Sequence, residues 1–194
     1  KAVGNVFSAA AEAVLKIAHL VMQLAPYGVL CLIAWVAGTM GMGALQNLFI
    51  LTIILYCGCI FHMLFVYGGA LKFILRLPLI RFFRGMLDAQ AVAYSTSSSS
   101  ATLPVTLQCV QKNLGVSQPV SSSVLPLGAT INMDGTALYL GIVALFSAQI
   151  FGIDLTLADY FLIALTVTLT SIGTAGIPSA SLFLLATVLS VIGI

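Results

Sequence analysis

Side chains that carry oxygen interrupt apolar stretches of this chain at three points. The three motifs are TSSSS at 96–100, NMDG at 132–135 and SIGTAGIPS at 171–179. Hydroxyl, amide and carboxylate oxygens can bind a small polar ligand or coordinate a hard cation. Asp134 stands out because a single carboxylate inside an apolar segment is costly, which makes it a functional candidate by default.

The composition places these motifs in a membrane protein. Hydrophobic residues make up 61% of the 194 residues and charged residues only 6%, with a mean hydropathy of +1.17. A soluble domain carries about a quarter charged residues, so this chain must be solvated by lipid. The net charge of +2 and the lack of a basic stripe argue against nucleic acid as a partner.

Two apolar stretches, 9–39 and 45–71, are long enough to span a bilayer, and Pro26 should bend the first helix without ending it. Later apolar runs are short and paired, as in re-entrant segments. The first pair flanks 95–101, the second flanks 171–181, and a span at 121–151 is broken at NMDG. Thr156 and Asp159 predict a capping box. The predicted divisions are 1–77 (two spans), 78–115 (first hairpin), 116–153 (broken span) and 154–194 (second hairpin).

The charges predict the direction from which each hairpin enters. All seven Lys and Arg residues can lie on one side, which the positive-inside rule makes cytoplasmic. Asp154 and Asp159 then fall on the opposite side. The predicted fold is therefore an all-α, multi-pass membrane protein with a broken transmembrane helix and two re-entrant helical hairpins that enter from opposite faces.

Helix direction predicts the electrostatics where the hairpin tips meet. The second helix of each hairpin would begin at its tip, with Pro104 and Pro178 in the first turn. Two converging helix N-termini favour an anion such as a carboxylate. Helix C-terminal carbonyls, together with the Asn132 amide and Asp134 carboxylate oxygens, suit a small cation. An anionic substrate beside a cation is the arrangement that a symporter needs.

The motifs SSSSATLPVT at 97–106, LPLGATINMDGTALY at 125–139 and SIGTAGIP at 171–178 resemble the dicarboxylate/amino acid:cation symporters, the glutamate transporter family. The likeness covers nearly the whole chain, and the NMDGT and IGTAG forms are similar to the amino-acid branch, near bacterial glutamate/aspartate carriers. It implies a homotrimer with a transport domain that moves as an elevator. The segments would be the fifth and sixth helices, first hairpin, seventh helix and second hairpin.

The resemblance also implies residue roles. Substrate would contact the tip of the first hairpin, Thr136 and the second hairpin. The second hairpin would close over the substrate, with Gly173 and Gly176 as hinges. The substrate-binding positions are Ser97, Ser98, Ser99, Thr136, Ile177, Pro178, Ser179, Ala180 and Ser181. Na⁺ ligands would be Gly128 and Asn132 at one site, Asp134 with Asn132 at another, and a mostly backbone set at a third. That third set comprises Thr130, Ser171, Ile172 and Thr174.

Some family features differ or fall outside this sequence. Ser97 stands where some prokaryotic members have Arg, and Ser181 stands where the family usually has Gly. The early scaffold helices and the eighth helix are expected in a longer polypeptide, and this chain alone is not expected to transport. Substrate choice (aspartate or glutamate against a neutral amino acid) and coupling (Na⁺ against H⁺) stay open. The expected location is the plasma membrane, the inner membrane in a bacterium.

Two other functional classes share some of these sequence features. A channel also uses re-entrant loops and backbone carbonyls, but two different hairpins and a broken helix suit a closed substrate site better. An intramembrane serine protease needs a serine activated by a base, and clustered serines suit binding instead. We therefore expect no enzyme. His62 is interpreted as a packing or interface residue without a functional role.

Overall fold

The computed structural model describes residues 2–177 and 179–193, with the backbone alone at 2–8, 10–12, 14, 15, 18, 19 and 22. Within these residues all regular secondary structure is helical, as predicted. The α-helices are α1 (Ala2–Met40), α2 (Met42–Phe61), α3 (Leu79–Gly85), α4 (Leu87–Thr96), α5 (Ser99–Lys112), α6 (Gln118–Ile131), α7 (Asp134–Ile150), α8 (Leu157–Ile172) and α9 (Ala180–Val191). Two π-helical segments, His62–Tyr67 and Ala70–Ile74, extend α2.

The chain divides into two units, residues 1–50 and residues 51–194. The first unit contains α1 and the beginning of α2. As predicted, α1 continues through Pro26, and its 39 residues extend over about 58 Å. Its segment Gln23–Met40 is apolar and has no buried residue, so it presents hydrocarbon on all sides.

The second unit holds two further segments that are long and apolar enough to cross a membrane, Met42–Ile74 (which begins in the first unit) and Gln118–Ile150. Each has 33 residues, or about 50 Å of helix, more than the roughly 30 Å that a bilayer core requires. Large apolar side chains cover their outer surfaces. The chain is an all-α, multi-pass membrane protein.

A glycine allows α2 to pack closely on α7. A Cβ atom at Gly58 would lie 3.2 Å from Leu138 Cδ2 and from Ile142 Cδ1. Small residues let membrane helices approach in this way. The contact brings the π-helical segment that follows α2 toward the first turn of α7.

The first break is shorter than the serine run predicts. Only Ser97 and Ser98 separate α4 from α5, whereas the sequence predicts an interruption over 95–101. The hydroxyls of Thr96 and Thr102 donate to the carbonyls four residues earlier, each at 2.8 Å, so these residues remain helical. The prediction for Pro104 was wrong: because α5 already begins at Ser99, Pro104 is its sixth residue and lies beyond the first turn.

The second break leaves Asn132 and Met133 between α6 and α7, within the predicted NMDG motif. The third separates α8 from α9 over 173–179. The predicted capping box of α8 is confirmed: the Thr156 hydroxyl accepts a hydrogen bond from the Asp159 N–H, and the Asp159 carboxylate accepts one from the Thr156 N–H at 2.8 Å.

Two sets of helices surround these breaks. Helices α4, α5 and α6 pack in sequence, and α7, α8 and α9 pack together, with α6 also touching α8. The core between α7, α8 and α9 is apolar and closely packed. It consists of Leu140, Ala144, Ala148, Ile163, Val167, Val188 and Ile192. This core fixes the directions of α7, α8 and α9. The region around the breaks at 97–98, 132–133 and 173–179 is named the polar center.

Candidate functional site

The turn between α4 and α5, here named the first tip, is formed by Ser97 and Ser98. Ser97 adopts a left-handed conformation with φ 49°, and Ser98 is extended. The Ser98 hydroxyl accepts a hydrogen bond from the Ala101 N–H at 3.2 Å. Ser98 therefore caps α5, whose N-terminus lies at the tip.

The turn between α8 and α9, residues 173–179, is named the second tip. Gly173 follows the last residue of α8, and Ser179 adopts φ 60° immediately before α9. Pro178 lies outside the described residues. A second helix N-terminus, that of α9, thus begins at this tip.

The two tips touch at Gly176. Its carbonyl accepts hydrogen bonds from the Ser98 hydroxyl at 2.7 Å and from the Ser100 N–H at 3.0 Å. A Cβ at Gly176 would lie 2.7 Å from Ser100 Oγ and 3.4 Å from Ser99 Cβ. Only glycine leaves room for this approach. The sequence predicted Gly176 as a hinge, and close packing against the first tip is what the structure adds.

A cavity of about 110 Å³ lies where the tips meet α7. Most of the predicted substrate-binding residues line it: Ser97, Ser99, Thr136, Ile177, Ser179, Ala180 and Ser181. Ser98 does not, because its hydroxyl is directed to Gly176. Thr174, predicted as a cation ligand, also lines the cavity. Drug-sized ligands occupy roughly 300–1,000 Å³, so this space suits a much smaller molecule.

Helix termini give this cavity its electrostatic character. Ser99 begins α5, Ala180 begins α9, and both line the cavity. A helix N-terminus carries roughly half a positive charge. Two such termini and several hydroxyls around one small space favor a compact anion with a carboxylate group.

The break in α6–α7 supplies oxygen atoms on the neighboring side. Asn132 and Met133 have non-helical ψ angles of 75° and 59°, so regular helical pairing stops here. The Gly128 carbonyl still accepts the Asn132 N–H at 3.0 Å. A second cavity, of about 360 Å³, is lined by Gly128 and Asn132 together with Ser98 and Ser99. Two predicted cation ligands therefore face the first tip.

The remaining predicted cation ligands belong to the ends of α6 and α8. Three hydroxyls donate to carbonyls of their own helices: Thr130 to Leu127, Ser171 to Thr168 and Thr174 to Thr170. Ile172 is the last residue of α8. Ser171 and Thr174 are buried. Because the hydroxyl protons are used, these residues offer lone pairs and carbonyl oxygens, a donor set that fits Na⁺.

Asp134 is placed differently from the other predicted ligands. It is the first residue of α7, and its Oδ2 accepts a hydrogen bond from the Tyr67 hydroxyl at 2.5 Å and lies 3.3 Å from His62 Nε2. The carboxylate thus contacts the π-helical segment after α2. Asn132, its predicted co-ligand, instead lines the cavity beside the first tip.

Sequence reasoning missed Tyr67 and gave His62 no role. Five residues apart, they would lie about 140° from each other around an α-helix, so the spacing did not connect them. In the π-helical turn both reach the same carboxylate. The available signal was the presence of polar ring groups inside a segment that is otherwise strongly apolar.

Comparison with known proteins identifies the family of this chain. All 194 residues match the sodium:dicarboxylate symporter family. An excitatory amino acid transporter of Caenorhabditis elegans is 38% identical over 193 residues, covering 94% of this chain and 37% of the relative. The mouse excitatory amino acid transporter 1 is 39% identical over 196 residues, covering 100% and 36%.

The human excitatory amino acid transporter 5 is 39% identical over 187 residues, covering 94% of this chain and 33% of the relative. The chain thus spans about a third of the length of the curated relatives it matches. With a match along its whole length, the chain belongs to the sodium:dicarboxylate symporter family, whose members are transporters and not enzymes.

Proposed function

We propose that this chain forms the substrate- and cation-binding part of a secondary active symporter for an acidic amino acid, aspartate or glutamate. The observation that carries the proposal is the small cavity between the N-termini of α5 and α9. Hydroxyl groups and helix N-termini bind a carboxylate there, and the broken helix beside it supplies oxygens for a cation. The relatives named excitatory amino acid transporters support this substrate class.

The coupling ion in this proposal is Na⁺, in keeping with the name of the family. Gly128, Asn132 and Asp134 would hold one or more ions through carbonyl, amide and carboxylate oxygens, and the ends of α6 and α8 would hold another. A bound cation adds positive charge beside the substrate carboxylates, so each ligand favors binding of the other. This chain's residues position the two ligands and exclude water between them.

Within the same proposal, α4–α5 and α8–α9 are re-entrant hairpins that enter from opposite faces. The second tip opens and closes over the substrate as an extracellular gate. The binding region moves as an elevator relative to a trimeric scaffold built by other parts of the protein. Its location is a plasma membrane, the inner membrane in a bacterium. These features rest on the resemblance and on the charge distribution.

Uptake of radiolabelled L-aspartate by the full-length protein in proteoliposomes tests the transport activity. We expect concentrative uptake under an inward Na⁺ gradient. Uptake driven by an inward H⁺ gradient alone would replace Na⁺ by H⁺, and uptake restricted to neutral amino acids would change the substrate class. Ion flux without any concentrative uptake would favor the channel alternative and contradict the proposal.

Variants connect the activity to this site. Ser99→Trp should abolish uptake because the indole would fill the cavity of about 110 Å³. Ser123→Trp, which places the same bulk on an exposed position of α6, should transport normally. Asp134→Asn should weaken the dependence of uptake on the cation. Unchanged uptake by Ser99→Trp would remove substrate from this cavity, and an unaltered cation dependence would remove Asp134 from the coupling.

A further inference from the structure

The π-helical segment His62–Tyr67 lies opposite the first turn of α7, in antiparallel register. Gly58 of α2 contacts Leu138 and Ile142, and one turn later His62 lies beside Asp134, one turn earlier on α7. Because residue numbers rise on one helix as they fall on the other, the two helices run in opposite directions. The close contact at Gly58 brings His62 within reach of the carboxylate.

The π-helical geometry then adds Tyr67. A turn closed by hydrogen bonds between residues five apart brings such residues nearly into line. His62 and Tyr67 are five apart, their rings touch edge to face with centroids 4.9 Å apart, and both contact Asp134 Oδ2. π-Helical turns inside α-helices frequently occur at functional sites.

The surroundings make these two rings important to the carboxylate. His62, Tyr67 and Gly135 line a cavity of about 630 Å³ whose other walls are mainly apolar, with Leu71, Phe82 and Leu138 among them. Polar partners for a carboxylate are scarce in such surroundings, and a carboxylate without partners is costly inside an apolar segment. Tyr67 and His62 are therefore the side-chain partners that the structure gives to the Asp134 carboxylate.

We infer that Tyr67, assisted by His62, is a positioning residue that competes with the coupling cation for the Asp134 carboxylate. The inference rests on the proposed cation-coupled function. A lone pair of Oδ2 that accepts the Tyr67 proton is withheld from a cation, and the hydrogen bond also draws charge from the whole carboxylate. Binding of a cation at Asp134 must weaken this hydrogen bond, so the π-helical segment lowers cation affinity and favors release.

This inference predicts the direction in which one substitution changes Na⁺ affinity. Tyr67→Phe keeps the ring and removes the hydroxyl. The lost hydrogen bond stabilizes the cation-free form more than the cation-bound form, so its removal strengthens cation binding. At a partly exposed site, a typical intramolecular hydrogen bond contributes enough to change an equilibrium about threefold to tenfold. The Na⁺ concentration for half-saturation should therefore fall roughly threefold to tenfold in Tyr67→Phe.

The experiment measures Na⁺ binding to the purified full-length protein without substrate, as the rise of the unfolding temperature with Na⁺ concentration. Choline chloride keeps the ionic strength constant, and the pH is fixed. Tyr27→Phe is the matched control, since it removes the same hydroxyl from an exposed tyrosine of α1. It should bind Na⁺ as the unmodified protein does.

A second variant keeps the test independent of one substitution. His62→Asn should shift the half-saturation in the same direction as Tyr67→Phe but by less, because the His62 contact is longer, 3.3 Å against 2.5 Å. Release of Na⁺ after rapid dilution, followed by stopped-flow fluorescence, should be slower in Tyr67→Phe. A purely structural role would not tighten binding and slow release together.

The outcomes separate this inference from the proposed function. Unchanged or weaker Na⁺ binding by Tyr67→Phe, beside normal binding by the unmodified protein, overturns the inference alone. Weaker binding would make the Tyr67 oxygen a cation ligand. If the unmodified protein binds no Na⁺, the proposed Na⁺ coupling is wrong. The inferred competition between Tyr67 and the cation is then wrong as well.

Discussion

At the scale of single residues, the absence of one methyl group at Gly176 determines how closely the two tips approach. Its carbonyl accepts two hydrogen bonds from the first tip, while its Cα faces Ser99 and Ser100. The contact joins the start of α5 to the turn that precedes α9. Because both elements line the same small cavity, the size of residue 176 bears directly on ligand binding.

We predict that Gly176→Ala weakens substrate binding. The added Cβ would lie 3.2 Å from the Ser100 backbone nitrogen and 2.7 Å from its hydroxyl oxygen. Overpacking of this kind costs about 1–3 kcal/mol, so the substrate Kd should rise roughly fivefold to 100-fold, measured by isothermal titration calorimetry on the full-length protein. Gly141→Ala is the control, since a Cβ atom there would have no neighbor within 4 Å and the residue lies in the interior of α7. Equal affinities in both variants would contradict the prediction.

The sequence predicted which residues belong to the polar center better than it predicted where each side chain points. Ser97, Ser99 and Thr136 line one cavity. The serine motif was recognizable from composition, whereas Thr136 was assigned from the family resemblance. Ser98 and Asp134 differ because their side chains bond to Gly176 and Tyr67. Those partners come from distant parts of the chain, 78 and 67 residues away, and local spacing carries no information about them.

At the scale of helices and turns, local hydrogen bonding explains which boundaries the sequence could predict. The capping box of α8 uses residues three apart, so its pattern is visible in the sequence. The start of α5 was predicted too late because serines and threonines that bond to preceding carbonyls can remain helical. The π-helical segments were not predicted, since a shifted hydrogen-bond register leaves no mark on the composition.

The capping box leads to a prediction about pH. Hydrogen bonds from the Thr156 hydroxyl and N–H lower the pKa of Asp159 below its ordinary value of 3.8. A carboxyl group whose pKa is lower in the folded state stabilizes the helix start above its ordinary pKa. That stabilization is lost as the pH falls through the lowered pKa. The first turn of α8 should therefore fray in acid, below about pH 4.

Hydrogen exchange followed by mass spectrometry can measure this fraying, after correction for the intrinsic pH dependence of exchange. Amides at the start of α8 should lose protection as the pH is lowered from 5 to 3, while those in the middle of α8 keep theirs. In Asp159→Asn the start should exchange faster already at pH 5, with little further change in acid. A pH response in Asp159→Asn equal to that of the unmodified protein would exclude the carboxyl group as its cause.

At the scale of the whole molecule, the exterior is far more apolar than that of a soluble protein. Buried positions include the polar residues Ser98, Thr102, Ser171 and Thr174, whereas large apolar side chains such as Phe183 and Leu157 lie outside. Composition predicted this arrangement because lipid solvates the exterior. Hydropathy alone does not predict how the chain passes through the bilayer, because the helices on either side of each tip are short.

The charges make that path testable. We predict that single cysteines at Arg81 and Lys112 react with a membrane-impermeant maleimide from the cytoplasmic side, and that a cysteine at Asp154 reacts from the opposite side. The background must replace Cys31, Cys57, Cys59 and Cys109. Labelling of Arg81→Cys and Lys112→Cys from opposite sides would mean that α4 and α5 cross the bilayer instead of returning.

The two hydrogen bonds on the Gly176 carbonyl also make this peptide group a spectroscopic reporter. Hydrogen bonding weakens a carbonyl bond, so a carbonyl with two donors absorbs infrared light at a lower frequency than one with a single donor. A ¹³C=¹⁸O label at Gly176 would separate its band from those of the other peptide groups. Each departure of the second tip from the first would then register as a shift to higher frequency, without a bulky probe at the contact.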